Sequence, residues 1–269
     1  QRRPEARMVL NGKAVVVTGA GGGGSGRAIA LRFAREGATV VVSDIEEAGA
    51  KETVRQIEAA GGRAALLPAD VRSKTQVKSL IEFGERLAAG LAVVVNNASC
   101  IAHFDEPLDH WADIVQTDLL GTMYATRFAI DAMRRTGGGA IVNISSISAL
   151  WHGRKHPAPG YDAAKAGVLR LTTMLDGLAA SDNIRVNCLA PGWIASEQVR
   201  TYWEPLTSEQ RKERGAPSRL LSLDEVAGAV YRLATDESLS GRVMVWWSED
   251  EAQLIPRGDQ GYAALETIS

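Results

Sequence analysis

Tyr161 and Lys165 stand four residues apart in a stretch of helical patterning, so both side chains fall on one face of a helix. A phenol ordinarily holds its proton up to about pH 10, but a neighbouring ammonium stabilises the phenolate. Such a pair can take a proton from an alcohol, or return one to a carbonyl, while hydride moves to or from a nicotinamide. The apolar run before it ends in Asn143-Ile144-Ser145-Ser146, and a serine hydroxyl at that strand end can hydrogen-bond the same substrate oxygen. Ser146 lies 15 residues before Tyr161 and Ser148 lies 13 before it; the strand-end position favours Ser146 as the substrate-orienting hydroxyl.

A second cluster precedes these. The segment 18–26, TGAGGGGSG, follows the apolar run Ala14–Val17 and opens a helical pattern near Arg27. Glycines there let backbone N–H groups approach a diphosphate at the positive end of the helix. The next apolar run ends at Asp44, 18 residues past Gly26, where a carboxylate can accept from both hydroxyls of an adenosine ribose or, equally, cap a helix. Glu46 and Glu47 follow, and no Arg or Lys lies inside the turn, which favours NAD over NADP. The same turn and acidic strand end also serve methyltransferases that bind S-adenosylmethionine, and the later strand ends must decide between the two.

The elements that must position these groups alternate. Ala14–Val17, Thr39–Val42, Ala64–Leu67, Leu91–Val95, Ala140–Ile144, Ile184–Leu189 and Val243–Trp247 read as short strands, continuously apolar as in a sheet buried on both faces. Helical spacing covers Ala28–Arg35, Ala48–Ala60, Val77–Leu87, Trp111–Arg134, Ala163–Ala179 and Leu223–Ala234, the last opened by a capping box, Ser222 with Glu225. About seven strands interleaved with helices predict an α/β fold, a single domain built on a doubly wound parallel sheet, with ligands at the carboxyl ends of its strands. Residues 193–219 break the rhythm and read as an irregular lid; residues 1–12 read as an extension and 248–269 as a tail. Met8 offers an internal start, with residues 1–7 then a leader.

Composition excludes several classes. Of 269 residues, 45% are hydrophobic and 23% charged, with a net charge of −2, so the chain carries no basic field for nucleic acid or anionic lipid. No apolar run approaches the roughly 20 residues of a membrane span. Two cysteines, Cys100 and Cys188, are too few for a secreted disulfide scaffold and favour a reducing, cytoplasmic setting.

With these residues in place, the chain resembles the short-chain dehydrogenase/reductase family from Lys13 to about Val245. The motifs are TGAGGGGSG (18–26), Asp44, Asp70-Val71, NNAS (96–99), NISS (143–146), YDAAK (161–165) and PGWI (191–194). The resemblance implies a Rossmann-like sheet, a nicotinamide cofactor, a small alcohol or ketone substrate and a homo-oligomer, dimer or tetramer. By position it makes Tyr161 the acid/base, Lys165 its activator and the holder of the nicotinamide ribose, and Ser146 the residue that orients the substrate oxygen. It sets Gly19, Gly23, Ser25 and Gly26 at the diphosphate, with one extra glycine leaving the register open between Gly22, Gly23 and Gly24. Asp44 then faces the adenosine ribose, Asp70 and Val71 the adenine, Asn97 and Ala98 the cofactor beyond it, and Pro191, Gly192 and Ile194 the carboxamide.

Three departures stand out. Asp118 occupies a position where the family places an Asn whose bound water links the lysine to solvent. An anion there, if close to Lys165, favours the charged lysine and partly cancels its field at Tyr161. Ser99 replaces the usual glycine of NNAG, a change that would crowd the cofactor. The last strand runs into Trp246-Trp247-Ser248-Glu249-Asp250 instead of a Gly-rich segment; the tryptophans then fill a subunit interface or cap the sheet edge. These departures keep a second reading in view, a nucleotide-binding sensor or scaffold with weakened catalysis. Trp151, Trp193, Tyr202 and Trp203 suggest a broad apolar substrate pocket or the packing of the lid, and Ser148 borders that region. His103, His110, His152 and His156 read as loop histidines, Cys100 reads as a packing residue, and no metal site is expected.

Overall fold

The computed structural model describes residues 8–100, 108–150 and 158–258. Trp151, His103, His152 and His156 lie outside the described residues. Seven strands, β1 (Ala14–Thr18), β2 (Thr39–Ser43), β3 (Arg63–Leu66), β4 (Leu91–Asn96), β5 (Gly139–Ile144), β6 (Ile184–Pro191) and β7 (Val243–Trp246), run parallel in one sheet. An eighth strand, β8 (Gln253–Leu254), pairs antiparallel with β7, giving the order β3-β2-β1-β4-β5-β6-β7-β8. The seven-strand expectation missed β8 because two residues carry no measurable periodicity. The closing segment therefore turns back along the sheet edge, and Trp247 at this turn is partly exposed.

Alternation along the strands produces the two layers. Val15 and Val17 pack with Ile29 and Phe33 of α1 (Ser25–Arg35), Ile57 of α2 (Glu47–Ala59) and Val230 of α10 (Leu223–Thr235). Ala14 and Val16 face the opposite way, onto Leu80 and Ile81 of α3 (Lys74–Leu87) and Met133 of α5 (Thr122–Thr136). Successive side chains of a strand point to opposite faces, so a strand apolar throughout buries both. The α10 capping box forms as read: Ser222 Oγ accepts from the Glu225 N–H, and the Glu225 carboxylate accepts from the Ser222 N–H.

The structure differs from the sequence reading in four places. The helical run 111–134 is α4 (Leu108–Ile114), a π-helical stretch Val115–Gly121, and then α5. The run 163–179 begins earlier, as α6 (Pro159–Met174), because Pro159 suits the first helical turn, and it continues only as the short α7 (Leu178–Asp182). Residues 193–219, read as an irregular lid, are not irregular: they hold α8 (Glu197–Trp203) and α9 (Ser208–Glu213), capped by Ser196 and by a Thr207–Gln210 capping box. Residues 8–12 pack onto the body, with Leu10 buried and the Met8 N–H donating to the Thr235 carbonyl at 3.0 Å. No described helix is long and apolar enough to cross a membrane.

The strand ends beside the cleft are braced by a buried polar ladder. Asn96 pairs with Asn143 in register, and its amide donates to Asn143 Oδ1 at 2.8 Å and to Thr126 Oγ1 at 3.1 Å. Asn143 in turn donates to Thr172 Oγ1 of α6 at 3.0 Å. Each group is buried, so deleting one member strips a hydrogen bond from its neighbours where no water replaces it. Asn143→Ala is expected to lower unfolding stability by about 2 kcal/mol in urea titration, and an unchanged midpoint would show that the ladder is dispensable.

Candidate active site

A cleft of about 970 Å3 opens over the carboxyl ends of β1 and β4, where the strand order reverses. Its glycine floor follows from close approach. Gly19 has φ +66°, and a Cβ there would sit 2.6 Å from Ala98 Cα. A Cβ on Gly26 would sit 2.1 Å from the Gly19 carbonyl oxygen and 2.6 Å from Asn97 Nδ2. Gly21 is equally tight against the Asp44 carboxyl, at 2.8 Å, and was not singled out from sequence; nor was Gly49, whose Cβ would meet the Gly21 carbonyl at 2.4 Å. Gly22 and Gly23 face open space, and Gly23 does not line the cleft, so the extra glycine is taken up at the exposed tip. Gly24 caps α1 with no side-chain bond, and no acidic residue occupies the first turn. The helix thus presents its positive end to the cleft.

Asn97 ties this turn to β4. Its amide donates to the Gly19 carbonyl at 3.0 Å, its Oδ1 accepts from the Ser25 hydroxyl at 2.8 Å, and Thr18 Oγ1 accepts from the Asn97 and Ala98 N–H groups. Asp44 does not cap α2, whose N-cap is Glu46. Its Oδ2 accepts from the Gly21 N–H at 2.8 Å and its Oδ1 from the Glu46 N–H at 3.0 Å, which fixes the carboxylate on the cleft rim. Asp44, Ile45 and Glu46 line the cleft; Glu47 does not, and pairs with Lys51. Arg27, just past the turn, is committed elsewhere: it donates to the Gly21 carbonyl at 2.7 Å and to Thr53 Oγ1 at 2.9 Å. Asp70 and Val71 lie further along the cleft, with Arg72 beside them bound to Asp70 at 2.8 Å. That guanidinium holds the Asp70 carboxyl below the ordinary carboxylate range.

At the far end, Tyr161 and Ser146 line the same cleft. Tyr161 occupies the first turn of α6, and Lys165 is almost fully buried one turn on, its Nζ 5.3 Å from the phenol ring centre. Lys165 Nζ donates to the Ile144 carbonyl at 3.0 Å and pairs with Asp118 Oδ2 at 3.0 Å. Burial alone would push the ammonium below its ordinary range; the Asp118 carboxylate, with Tyr161 second, outweighs burial and raises it. Asp118 has no exposed surface and is aimed inward from the π-helical stretch. It also accepts from the Ser99 hydroxyl and, at 2.8 Å, from the Cys100 N–H. Ser99 thus spends its hydroxyl on Asp118, a role the crowding argument from sequence did not foresee.

Ser146, not Ser148, reaches the cleft. Ser148 is buried in the 3-10 turn Ile147–Leu150, its N–H donates to Ser146 Oγ at 3.1 Å, and it does not line the cavity. Gly192 and Ile194 line the cleft, whereas Pro191 is the buried last residue of β6 and does not. Gly192 is pinned from the tail: a Cβ would meet Ser248 Oγ at 2.4 Å, and that hydroxyl accepts from the Trp193 N–H at 2.9 Å. Trp193 lines this cleft and also a neighbouring cavity of about 480 Å3 shared with Ile147, Pro217 and Trp247. That cavity also carries Arg211, Lys212, Glu249 and Asp250, so its walls are not uniformly apolar.

Trp203 lines neither cavity; its Nε1 donates to the Pro217 carbonyl at 2.8 Å and Arg211 stacks on its ring, so it packs the lid. Ser196, Gln198 and Val199 of the lid line the cleft as well, contacts that only the placement of α8 reveals. His110 sits on α4, not in a loop. Cys100 lines the cleft with its thiol pushed up by burial, and burial lifts the Cys188 thiol to about 12, so neither is poised as a nucleophile. No metal-binding cluster occurs among the described residues.

Comparison with known proteins agrees with this architecture. The family model described as short chain dehydrogenase matches residues 13–206. A "Probable galactose dehydrogenase" of Rhizobium meliloti (strain 1021) is 34% identical over 238 residues, covering 85% of this chain and 90% of the relative. The cyclohexanol dehydrogenase of Acinetobacter sp. (strain SE19) is 32% identical over 233 residues, covering 85% and 90%. A solved 7α-hydroxysteroid dehydrogenase, complexed with NADH and 7-oxo glycochenodeoxycholic acid, superposes with a TM-score of 0.77 at 28% identity, covering 89% of this chain and 94% of that one.

The glycine geometry makes a direct forecast. Gly26→Ala is expected to destabilise the fold by about 2 kcal/mol or more, since backbone must move to admit the methyl group. Gly23→Ala should stay within about 0.5 kcal/mol of the parent. Thermal unfolding of the two variants side by side checks this, and equal losses would overturn the assignment of the tight turn.

Proposed function

The chain belongs to the short-chain dehydrogenase family, and we propose that it moves a hydride between NAD(H) and a secondary alcohol or its ketone. The observation that carries this reading is the meeting, in one cleft, of Tyr161 and Ser146 with the glycine floor and the Asp44 rim, with Lys165 buried behind the phenol.

The residues present fit a dinucleotide. Gly19, Gly21 and Gly26 leave no room for side chains, so backbone and the open end of α1 face the cleft, as a diphosphate requires. Gly19, Ser25 and Gly26 would hold the diphosphate, Asp44 the adenosine ribose, and Asp70 and Val71 the adenine. Asn97, Ala98, Gly192 and Ile194 would hold the nicotinamide half; Lys165 does not line the cleft and would act from behind Tyr161. Asp44 and Glu46 on the rim, with Arg27 already bonded to backbone and Thr53, disfavour a 2′-phosphate and support NAD over NADP. When bound, this group supplies the hydride acceptor or donor.

The chain's own residues handle the proton. In the oxidative direction Tyr161 takes the proton from the substrate hydroxyl as the C–H bond breaks; in reduction it returns a proton to the carbonyl oxygen. Ser146, its Oγ held by the Ser148 N–H, donates its own hydrogen to the substrate oxygen. Lys165 stabilises negative charge on the phenol oxygen, and Asp118 tempers that field by pairing with the ammonium.

Titration with the four nicotinamide nucleotides, followed by tryptophan fluorescence, is expected to show NADH bound at least about tenfold more tightly than NADPH. Tyr161→Phe should keep NADH affinity and lose turnover about 10²–10⁴-fold. Binding without turnover on any alcohol or ketone would favour the sensor reading, and no binding of any nucleotide would refute both. Asp118→Asn removes the anion that opposes Lys165, so the acidic limb of the oxidation rate should move to lower pH; superimposable profiles would show that Asp118 has no electrostatic role.

A further inference from the structure

Two departures from the family pattern, Ser99 and Asp118, touch each other. They lie 19 residues apart in the chain, on the segment after β4 and on the π-helical stretch. The Ser99 hydroxyl donates to Asp118 Oδ2, the same oxygen that pairs with Lys165 Nζ at 3.0 Å. The Cys100 N–H takes the other oxygen at 2.8 Å. Asp118 and Lys165 are buried, whereas Ser99 is exposed at the cleft wall, with the Cys100 carbonyl as its longer alternative acceptor at 3.3 Å.

We propose that Ser99 is a positioning residue that acts through Asp118, sharing the carboxylate oxygen with Lys165 and so setting how much of the lysine's positive field reaches Tyr161. The physical reason is competition. A carboxylate oxygen that accepts from a hydroxyl has part of its charge offset by that dipole, and in a buried site the offset is felt strongly. Deleting the hydroxyl returns the full anion to the lysine, deepens the cancellation and makes the phenolate harder to form. A small residue at position 99 would leave an Asp at 118 over-compensating the lysine; the hydroxyl relieves this. The other titratable or charged groups around the pair are Cys100, which feels Asp118, Arg72 and Asp113, and Tyr161 and Cys188, which face Lys165.

The kinetic part of this inference rests on the oxidoreductase reading, but a spectroscopic test does not. The ultraviolet phenolate signal of the whole protein, less that of its Tyr161→Phe counterpart, isolates Tyr161 without any nucleotide. Ser99→Ala and Ser99→Gly are each expected to move that titration upward by about half a pH unit. Ser99→Thr, which keeps the hydroxyl, should titrate as the parent does. In an Asp118→Asn background the Ser99→Ala shift should vanish, because the carboxylate through which it acts is gone. The acidic limb of the oxidation rate should follow the same order. No shift in Ser99→Ala, or an equal shift with Asn at 118, would overturn the proposal. A phenolate shift in a protein that turns over no alcohol or ketone would sustain it and refute the oxidoreductase reading instead.

Discussion

The ion pair between Lys165 and Asp118 constrains much of the site around it. Two opposite charges removed from water are tolerated only when paired and when their remaining donors and acceptors are satisfied. Here the partners come from four places: Asp118 from the π-helical stretch, Lys165 from α6, the Ile144 carbonyl from the end of β5, and Ser99 and Cys100 from the segment after β4. None can shift alone without leaving a buried charge unmet. The π-helical stretch borders the candidate site, where such stretches often occur, and it presents Asp118 between the two strand ends.

The pair is anchored to the sheet by neutral polar groups. The Asn96–Asn143–Thr172 ladder crosses from β4 through β5 into α6, and Ser145 Oγ donates to the Lys165 carbonyl at 2.8 Å. Helix α6 is thereby held at two points, at Lys165 and two turns further on at Thr172. On the other side of the cleft, Asn97 performs the same service for the glycine turn, joining β1, β4 and α1. The cleft is thus a seam between strand ends whose separation is set by these buried hydrogen bonds. The closing tail adds a third anchor, Ser248, which holds the Gly192–Trp193 backbone against the end of β7.

Much of this was legible in the chain itself. Strands apolar at every position imply burial on both faces, and the alternation of Val15 and Val17 with Ala14 and Val16 between two layers follows from the pleat alone. A glycine-rich turn between strand and helix, an acidic residue at the next strand end and a Tyr four before a Lys are local patterns, and local geometry dictates their meaning. The capping box at Ser222 is of the same kind. The less legible parts were those whose signal is short or nonlocal: a two-residue strand, helices of six and seven residues in the lid, and the break of one long helical run by a wider turn.

What the sequence by itself determined, then, is the order of elements, the strand ends that border the cleft, and the helical face shared by Tyr161 and Lys165. Each depends on spacings of a few residues, where backbone period converts directly into direction. Only the tertiary structure decided that Ser148 turns away from the cleft into a buried 3-10 turn, that Gly21 and Gly49 touch, that Trp203 packs the segment 193–219, and that Ser99 bonds Asp118. Those outcomes depend on where separate elements stop against one another. Packing at crystal-like density fixes such contacts to within a fraction of an ångström, and no short-range periodicity carries that information.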